Sequence, residues 1–318
     1  MPKKSTRYTL HATRFPNIIF GPISSRRFGK SLGVDLSPGK KQCNFDCLYC
    51  ELDPAKTMVA QDEVLSVKQI VKAVKEGLRE HGDIDVLTIT ANGEPTLYPH
   101  LAELMDEINK IKGKTKTLIL SNAATIDDPK VQEALLKFDE VKLSLDCATQ
   151  KCLKRLDRSH EGIDVEHIKA GMLAFRKRYE GVLIIEILIV ATLNDRPEEI
   201  AALNDYLLKL SPDRIDLGTI DRPPAFDVKP ASYETLLRLS QQFDPSLPLY
   251  IASRKKAEMT PSSYSNEEIL DTLTKRPLTK EDIGVLLDEE SQRRFEVLKN
   301  EKKIIPVNLN GVIFYKKA

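Results

Sequence analysis

The sequence predicts an α/β fold with an open parallel sheet, and three observations carry that expectation. Apolar β-rich runs alternate with amphipathic helical segments about six times between residues 32 and 217. The conspicuous polar residues fall at the carboxyl ends of the predicted strands, where parallel sheets build their sites. A chain of 318 residues with 41% hydrophobic content is long enough for such a sheet plus an appendage. Six units are too few to close an eight-stranded barrel.

In chain order, Leu32–Leu36 reads as a short buried strand that stops at Pro38-Gly39. The spacing of Ile70, Val71, Val74 and Leu78 predicts a helix over 67–79, with Ser66 as its N-cap. Residues 84–90, 116–120, 140–145, 182–190 and 214–217 read as strands. Residues 101–111, 129–138, 164–178 and 197–210 read as the helices between them. Pro197 suits a first helical turn, where its missing N–H is harmless. After Gly218 the texture changes: Asp221-Arg222-Pro223-Pro224 and Lys229-Pro230 read as linker, and 232–243 as one packing helix. Residues 260–318 read as three helices and a hairpin turning at Asn310-Gly311, the pattern of a winged helix. The expected divisions are therefore 1–20 (a basic extension), 21–222, 223–259 and 260–318.

Charge narrows the partners. The net charge is +1, yet residues 1–41 hold nine Lys and Arg against the single acid Asp35. That segment is thus +8 and the remainder −7. A basic segment of this kind is a candidate phosphate-facing surface. From Arg254 onward thirteen basic and eleven acidic residues nearly balance, so the winged helix suits tRNA or protein docking as well as duplex reading. No apolar run is long enough to span a membrane, and the expectation is a cytoplasmic protein.

The chemistry concentrates at Cys43-Asn44-Phe45-Asp46-Cys47-Leu48-Tyr49-Cys50, three of five cysteines in a C-x3-C-x2-C spacing. Three thiolates on one short loop converge on a small object and suit an iron–sulfur cluster with one iron left open. Zinc is the plainer alternative, but the five histidines show no paired ligand spacing.

This loop resembles that of the radical S-adenosylmethionine (SAM) enzymes. The lead-in Gly21–Leu36 is similar to a bacterial branch related to the wyosine-type tRNA synthases. The resemblance implies a partial (βα)6 TIM-type barrel and a [4Fe-4S] cluster on Cys43, Cys47 and Cys50. It implies SAM bound at the open iron and cleaved reductively to a 5′-deoxyadenosyl radical. It places Tyr49 near the adenine, Asn92-Gly93-Glu94-Pro95 at the amino end of SAM, and Ser144 and Asp146 at the ribose hydroxyls. Asn92 stands where the family has glycine, and asparagine tolerates positive φ. Asn122 is a further cofactor or substrate contact. An electron donor such as flavodoxin or ferredoxin, and a tRNA or other RNA substrate, are the implied partners.

Arg26, Arg27, Glu186 and Arg222 are the substrate candidates. Glu186 interrupts the apolar run 183–190 and needs a partner or an aqueous face, with Arg222, Arg155 or Arg158 as the available cations. Lys41, beside the cluster loop, is a candidate Schiff-base lysine, although a solvated charge is the simpler reading for it and for Lys40. Cys147 is a candidate catalytic thiol, and with Cys152 it otherwise reads as a small buried hydrophobe. Those two cannot supply the second three-cysteine site that archaeal wyosine synthases carry. Two other functions fit the same residues. One is a peptide- or protein-modifying activase type. The other is an iron–sulfur sensor that binds DNA through the winged helix.

Overall fold

The structure is a computed structural model that describes residues 18–25, 28–251, 261, 263–275, 277–309 and 312–318. Arg26, Arg27, most of the basic segment and the Asn310-Gly311 turn therefore lie outside the described residues.

An eight-stranded sheet forms the larger part, in the order β1 (Ile19–Ser25), β2 (Gly29–Asp35), β3 (Val86–Thr90), β4 (Lys116–Ser121), β5 (Glu140–Ser144), β6 (Val182–Ile189), β7 (Arg214–Thr219) and β8 (Leu249–Ile251). β1 runs antiparallel to β2, and every later neighbour is parallel. The helices α1 (Val67–His81), α2 (Leu101–Ile111), α3 (Pro129–Leu135), α4 (Gln150–Leu156), α5 (Val165–Arg176), α6 (Pro197–Leu210) and α7 (Tyr233–Ser240) fall between the parallel strands. The expected alternation is present, but the count of six strands is corrected to seven parallel strands plus one antiparallel edge. β8 is three residues long and follows Pro248, too short to show a period, and β1 is interrupted by Gly21-Pro22.

Local signals set the helix ends. Ser66 and Gln69 form a reciprocal capping box on α1, and Thr149, Asp164 and Ser232 cap α4, α5 and α7 with side-chain oxygens. Leu32, Val34, Leu87, Ile89, Val141, Leu143, Ile185, Ile187, Ile215 and Leu217 are fully buried and join the helices in the main core.

The alternate positions face a lumen. Ser31, Gly33, Asp35, Thr88, Thr90, Leu118, Lys142, Glu186, Leu188 and Gly218 line a cavity of about 1010 Å³. Short side chains on β2 and β3 leave that space unfilled, unlike the packed interior of a closed barrel. Gly33 is required there, because a Cβ would lie 2.2 Å from Cζ of the Phe20 ring.

The C-terminal part has its own core of Tyr264, Ile269, Leu273, Leu278, Ile283, Leu286, Leu287, Phe295, Leu298 and Ile304. It comprises α8 (Asn266–Lys275), β9 (Leu278–Thr279), α9 (Lys280–Leu286), α10 (Glu289–Asn300), β10 (Ile304–Leu309) and β11 (Val312–Lys317). The three helices and the antiparallel pair β10–β11 match the expected order, and β9 adds a third strand beside β11. Thr279 caps α9, and Asp288 caps α10, which begins at Glu289.

Candidate active site

Cys43, Cys47 and Cys50 lie on one loop beyond the carboxyl end of β2, all three half-buried and free of disulfides. Backbone bonds hold the loop on both flanks. Before Cys43, Gln42 N–H donates to Asn92 O (2.9 Å) and its carbonyl accepts from Glu94 N–H (2.9 Å). Beyond it, Asp46 N–H donates to Asp157 O (3.1 Å) and Leu48 N–H to Leu156 O (2.9 Å). The Gln42 side chain, 1% exposed, donates to Ser37 Oγ and Glu63 O and accepts from Asp62 and Glu63 N–H. The buried Asp46 carboxylate takes Lys41 Nζ (3.0 Å), Ala55 N–H (3.2 Å) and the Arg158 guanidinium (3.4 Å). Gln42 and Asp46 carry no motif signature, so sequence reasoning missed them.

The three sulfurs share a low-polarity environment. Burial pushes the Cys43 thiol up to about 12, and it raises those of Cys47 and Cys50 as well. A metal reverses that preference by stabilising the thiolates. Phe45 N–H points at Cys43 Sγ (3.4 Å), and so does Asn122 Nδ2 (3.7 Å). Burial acts to lower the Lys41 ammonium, but the Cys50 sulfur and Asp46 outweigh it and hold the group above the ordinary lysine value. Lys41 is therefore a buried ammonium paired with Asp46, not the solvated charge expected. Lys40 is also ion-paired, with Asp62 and Glu63 at the surface.

Asn92-Gly93-Glu94-Pro95 follows β3 and lies against the cysteine loop through a parallel bridge between Gln42 and Gly93. Positive φ falls at Gly93 (+138°) and not at Asn92, which corrects the reason given for asparagine at that position. Glu94, 2% exposed, accepts from Thr96 N–H and Oγ1, from Ser121 Oγ and from Asn122 N–H. It thus clamps the ends of β3 and β4 together. Pro95 opens a short 3-10 turn that Glu94 caps. Asn122 Nδ2 also donates to Asn44 Oδ1 (2.7 Å), which brings the end of β4 onto the cysteine loop.

Tyr49 and Asp146, distant in sequence, meet: the Tyr49 hydroxyl donates to Asp146 Oδ2. Asp146 Oδ1 accepts from Leu188 N–H (2.6 Å), and its carbonyl accepts from Asn194 Nδ2 (2.9 Å). Burial pushes the Asp146 carboxyl up to about 7. Asp157, also buried and raised by burial, lies against Tyr49 and Cys47, with its Oδ1 unpartnered. Ser144 ends β5, opposite Glu186 of β6.

Glu186 faces the lumen as expected, but with a different partner. Lys142 Nζ lies 2.5 Å from its Oε1 and 3.3 Å from Asp216 Oδ2, and Arg214 Nε donates to Asp216 Oδ1 (2.8 Å). The three arginines considered for Glu186 are engaged elsewhere. Arg222 pairs with Glu51 (3.4 Å), and Arg155 donates to Thr192 O (3.4 Å). Arg158 reaches Asp46 and stacks over Phe226. The available signal for Lys142 was the alternation Glu140, Lys142, Ser144, a charged face in a central strand that opposes Glu186. Cys147 is corrected: it is 1% exposed and disulfide-bonded to Cys152 of α4, close to Glu199, so it presents no free thiol to the lumen. Both sulfurs lie where β5 turns into α4, five residues apart in sequence.

The family model described as the radical SAM superfamily matches residues 40–204, more than half of the chain, and includes the cysteine loop, Asn92–Pro95, Asp146 and Glu186. The chain belongs to the radical SAM superfamily. Among its relatives, a UPF0026 protein of Helicobacter pylori strain J99 is 42% identical over 94% of this chain and 97% of its own length. A UPF0026 protein of Methanocaldococcus jannaschii is 30% identical over 94% of this chain and 96% of its own. A radical SAM methyltransferase from Sphaerobacter thermophilus shares the fold at TM-score 0.53 and 16% identity, over 71% of this chain and 67% of that one. The structure of TYW1 with a lysine-pyruvate adduct shares it at TM-score 0.50 and 16% identity, over 68% and 74%.

Radical SAM enzymes use a [4Fe-4S] cluster and SAM, and the residues here fit both. Three sulfurs on one loop, met by N–H donors, match the cluster's donor set. The unpartnered buried Asn44 Nδ2 and Asp157 Oδ1 leave polar capacity for a ligand beside them. When bound, the pair supplies one-electron cleavage of SAM. No helix of the described residues is long and apolar enough to cross a membrane.

Proposed function

We propose that this radical SAM enzyme acts on tRNA or another RNA, with one nucleotide entering the lumen. The observation that carries the reading is the cavity of about 1010 Å³, lined on one side by the sheet and on the other by the C-terminal part. Leu273, Pro277, Ile305, Lys316 and Lys317 face the same space as Lys142, Glu186 and Arg222. An enzyme that works on a base takes it out of the stack into such a pocket, while cations at the rim hold the backbone. The C-terminal part is then a winged helix used for docking, and the net charge of +8 over residues 1–41 favours a phosphate-bearing partner. Cys43, Cys47 and Cys50 hold the cluster. Tyr49, Asn92, Gly93, Glu94, Asn122, Ser144 and Asp146 surround SAM, in part through the hydrogen bonds they make to one another.

The test is anaerobic reconstitution followed by dithionite, SAM and bulk tRNA, with mass spectrometry of the digested nucleosides. The expected result is 5′-deoxyadenosine together with a new nucleoside. Binding to tRNA is expected to weaken steeply with salt. Turnover of SAM with an unchanged nucleoside profile overturns the RNA reading and leaves the radical chemistry standing.

A further inference from the structure

We propose that Glu186, held in place by Lys142, reads the substrate through a planar edge bearing N–H donors. This rests on the reading that a nucleobase enters the lumen. Glu186 and Asp216 are direct partners on β6 and β7, and Lys142 reaches both from β5. The charges are unequal in access. Lys142 is 8% exposed and Asp216 2%, with Arg214 on the far side of Asp216. Glu186 is 38% exposed and lines the cavity. Lys142 is shared between the two carboxylates, and Glu186 is the more exposed of them.

Position matters as much as charge. Leu188, two residues beyond Glu186, gives its N–H to Asp146, which holds Tyr49 of the cysteine loop. Glu186 therefore stands beside the place where SAM is expected to react. The surrounding wall includes Leu118, Leu120 and Leu188, apolar surface suited to a flat ring. A carboxylate ion-paired with a lysine offers hydrogen-bond acceptors and no donor, so it selects for donors. Flat ring plus paired N–H groups describes an amidine or the amino edge of a nucleobase. Lys142 does not touch the substrate; it is a positioning residue.

Benzamidine is a suitable probe, with benzoate as the donor-free control. Binding to the reconstituted, SAM-loaded protein is read by saturation-transfer NMR and calorimetry. The wild type is expected to bind benzamidine and not benzoate. Glu186→Gln should weaken binding at least tenfold, and Glu186→Asp, which keeps the charge but withdraws it, several-fold. Lys142→Met should weaken it also, with Lys142→Arg restoring it to within about threefold, a rescue that loss of packing alone does not give. Glu133→Gln, an exposed carboxylate paired with Arg178, is the neutral control. Iron content and thermal melting establish that each variant is folded. Equal binding by wild type and Glu186→Gln, or none by wild type, overturns the proposal. Because no RNA is present, this outcome is separate from the fate of the tRNA assay.

Discussion

At Gly93 the backbone adopts φ +138°, and a Cβ there would stand 2.0 Å from the Gln42 carbonyl oxygen. Gly93→Ala is therefore expected to break the stitching between the Asn92–Glu94 turn and the cysteine loop. A backbone conflict of this kind costs on the order of 1–3 kcal/mol. The checks are a lower melting temperature and reduced iron after reconstitution. Asp146 makes a second residue-level prediction. Its carboxyl is raised from 3.8 to about 7 by burial, so its neutral form is the one the fold favours. Relative to an ordinary carboxyl, its contribution is complete below about pH 4 and is lost as pH rises through about 7. Metal-free wild type should thus lose stability over that window relative to Asp146→Asn, measured as melting temperature against pH. Parallel profiles would contradict it.

Among the elements, the cysteine loop gives the sharpest expectation. Cys43→Ala, Cys47→Ala and Cys50→Ala should each lose the brown colour and most of the iron, because each removes one anchor; full iron in all three would refute the assignment. How legible these elements were follows from their physics. The loop announced itself by spacing, and α1 by its apolar stripe and the Ser66 cap. β8 and α4 were too short to show a period, and β1 was masked by Gly21-Pro22 inside a motif. Glu186 drew notice as a charge in an apolar strand, but its partner did not. Lys142 sits 44 residues away in sequence, and only the register of β5 and β6 brings the two together. Gln42, Asp46 and Asp157 were illegible for the same reason, since their work is done through backbone groups and contacts distant along the chain.

For the molecule as a whole, Tyr264 ties the two parts together. It is 1% exposed, and its hydroxyl donates to Pro22 O on β1 (2.6 Å). Tyr264→Phe leaves that carbonyl short of a partner in a buried place, a loss of about 1–3 kcal/mol. The expected readout is a lower melting temperature and faster proteolysis between the parts, with iron content maintained. Unchanged melting would show that the contact is idle. The backbone bonds around the cysteine loop have a consequence for the metal-free protein. They run from Gln42, Asp46 and Leu48 to neighbouring carbonyls and require no sulfur ligation. These bonds are expected to keep the loop in place when iron is removed, and slow hydrogen exchange at the Asp46 and Leu48 amides of metal-free protein is the measurement that checks it.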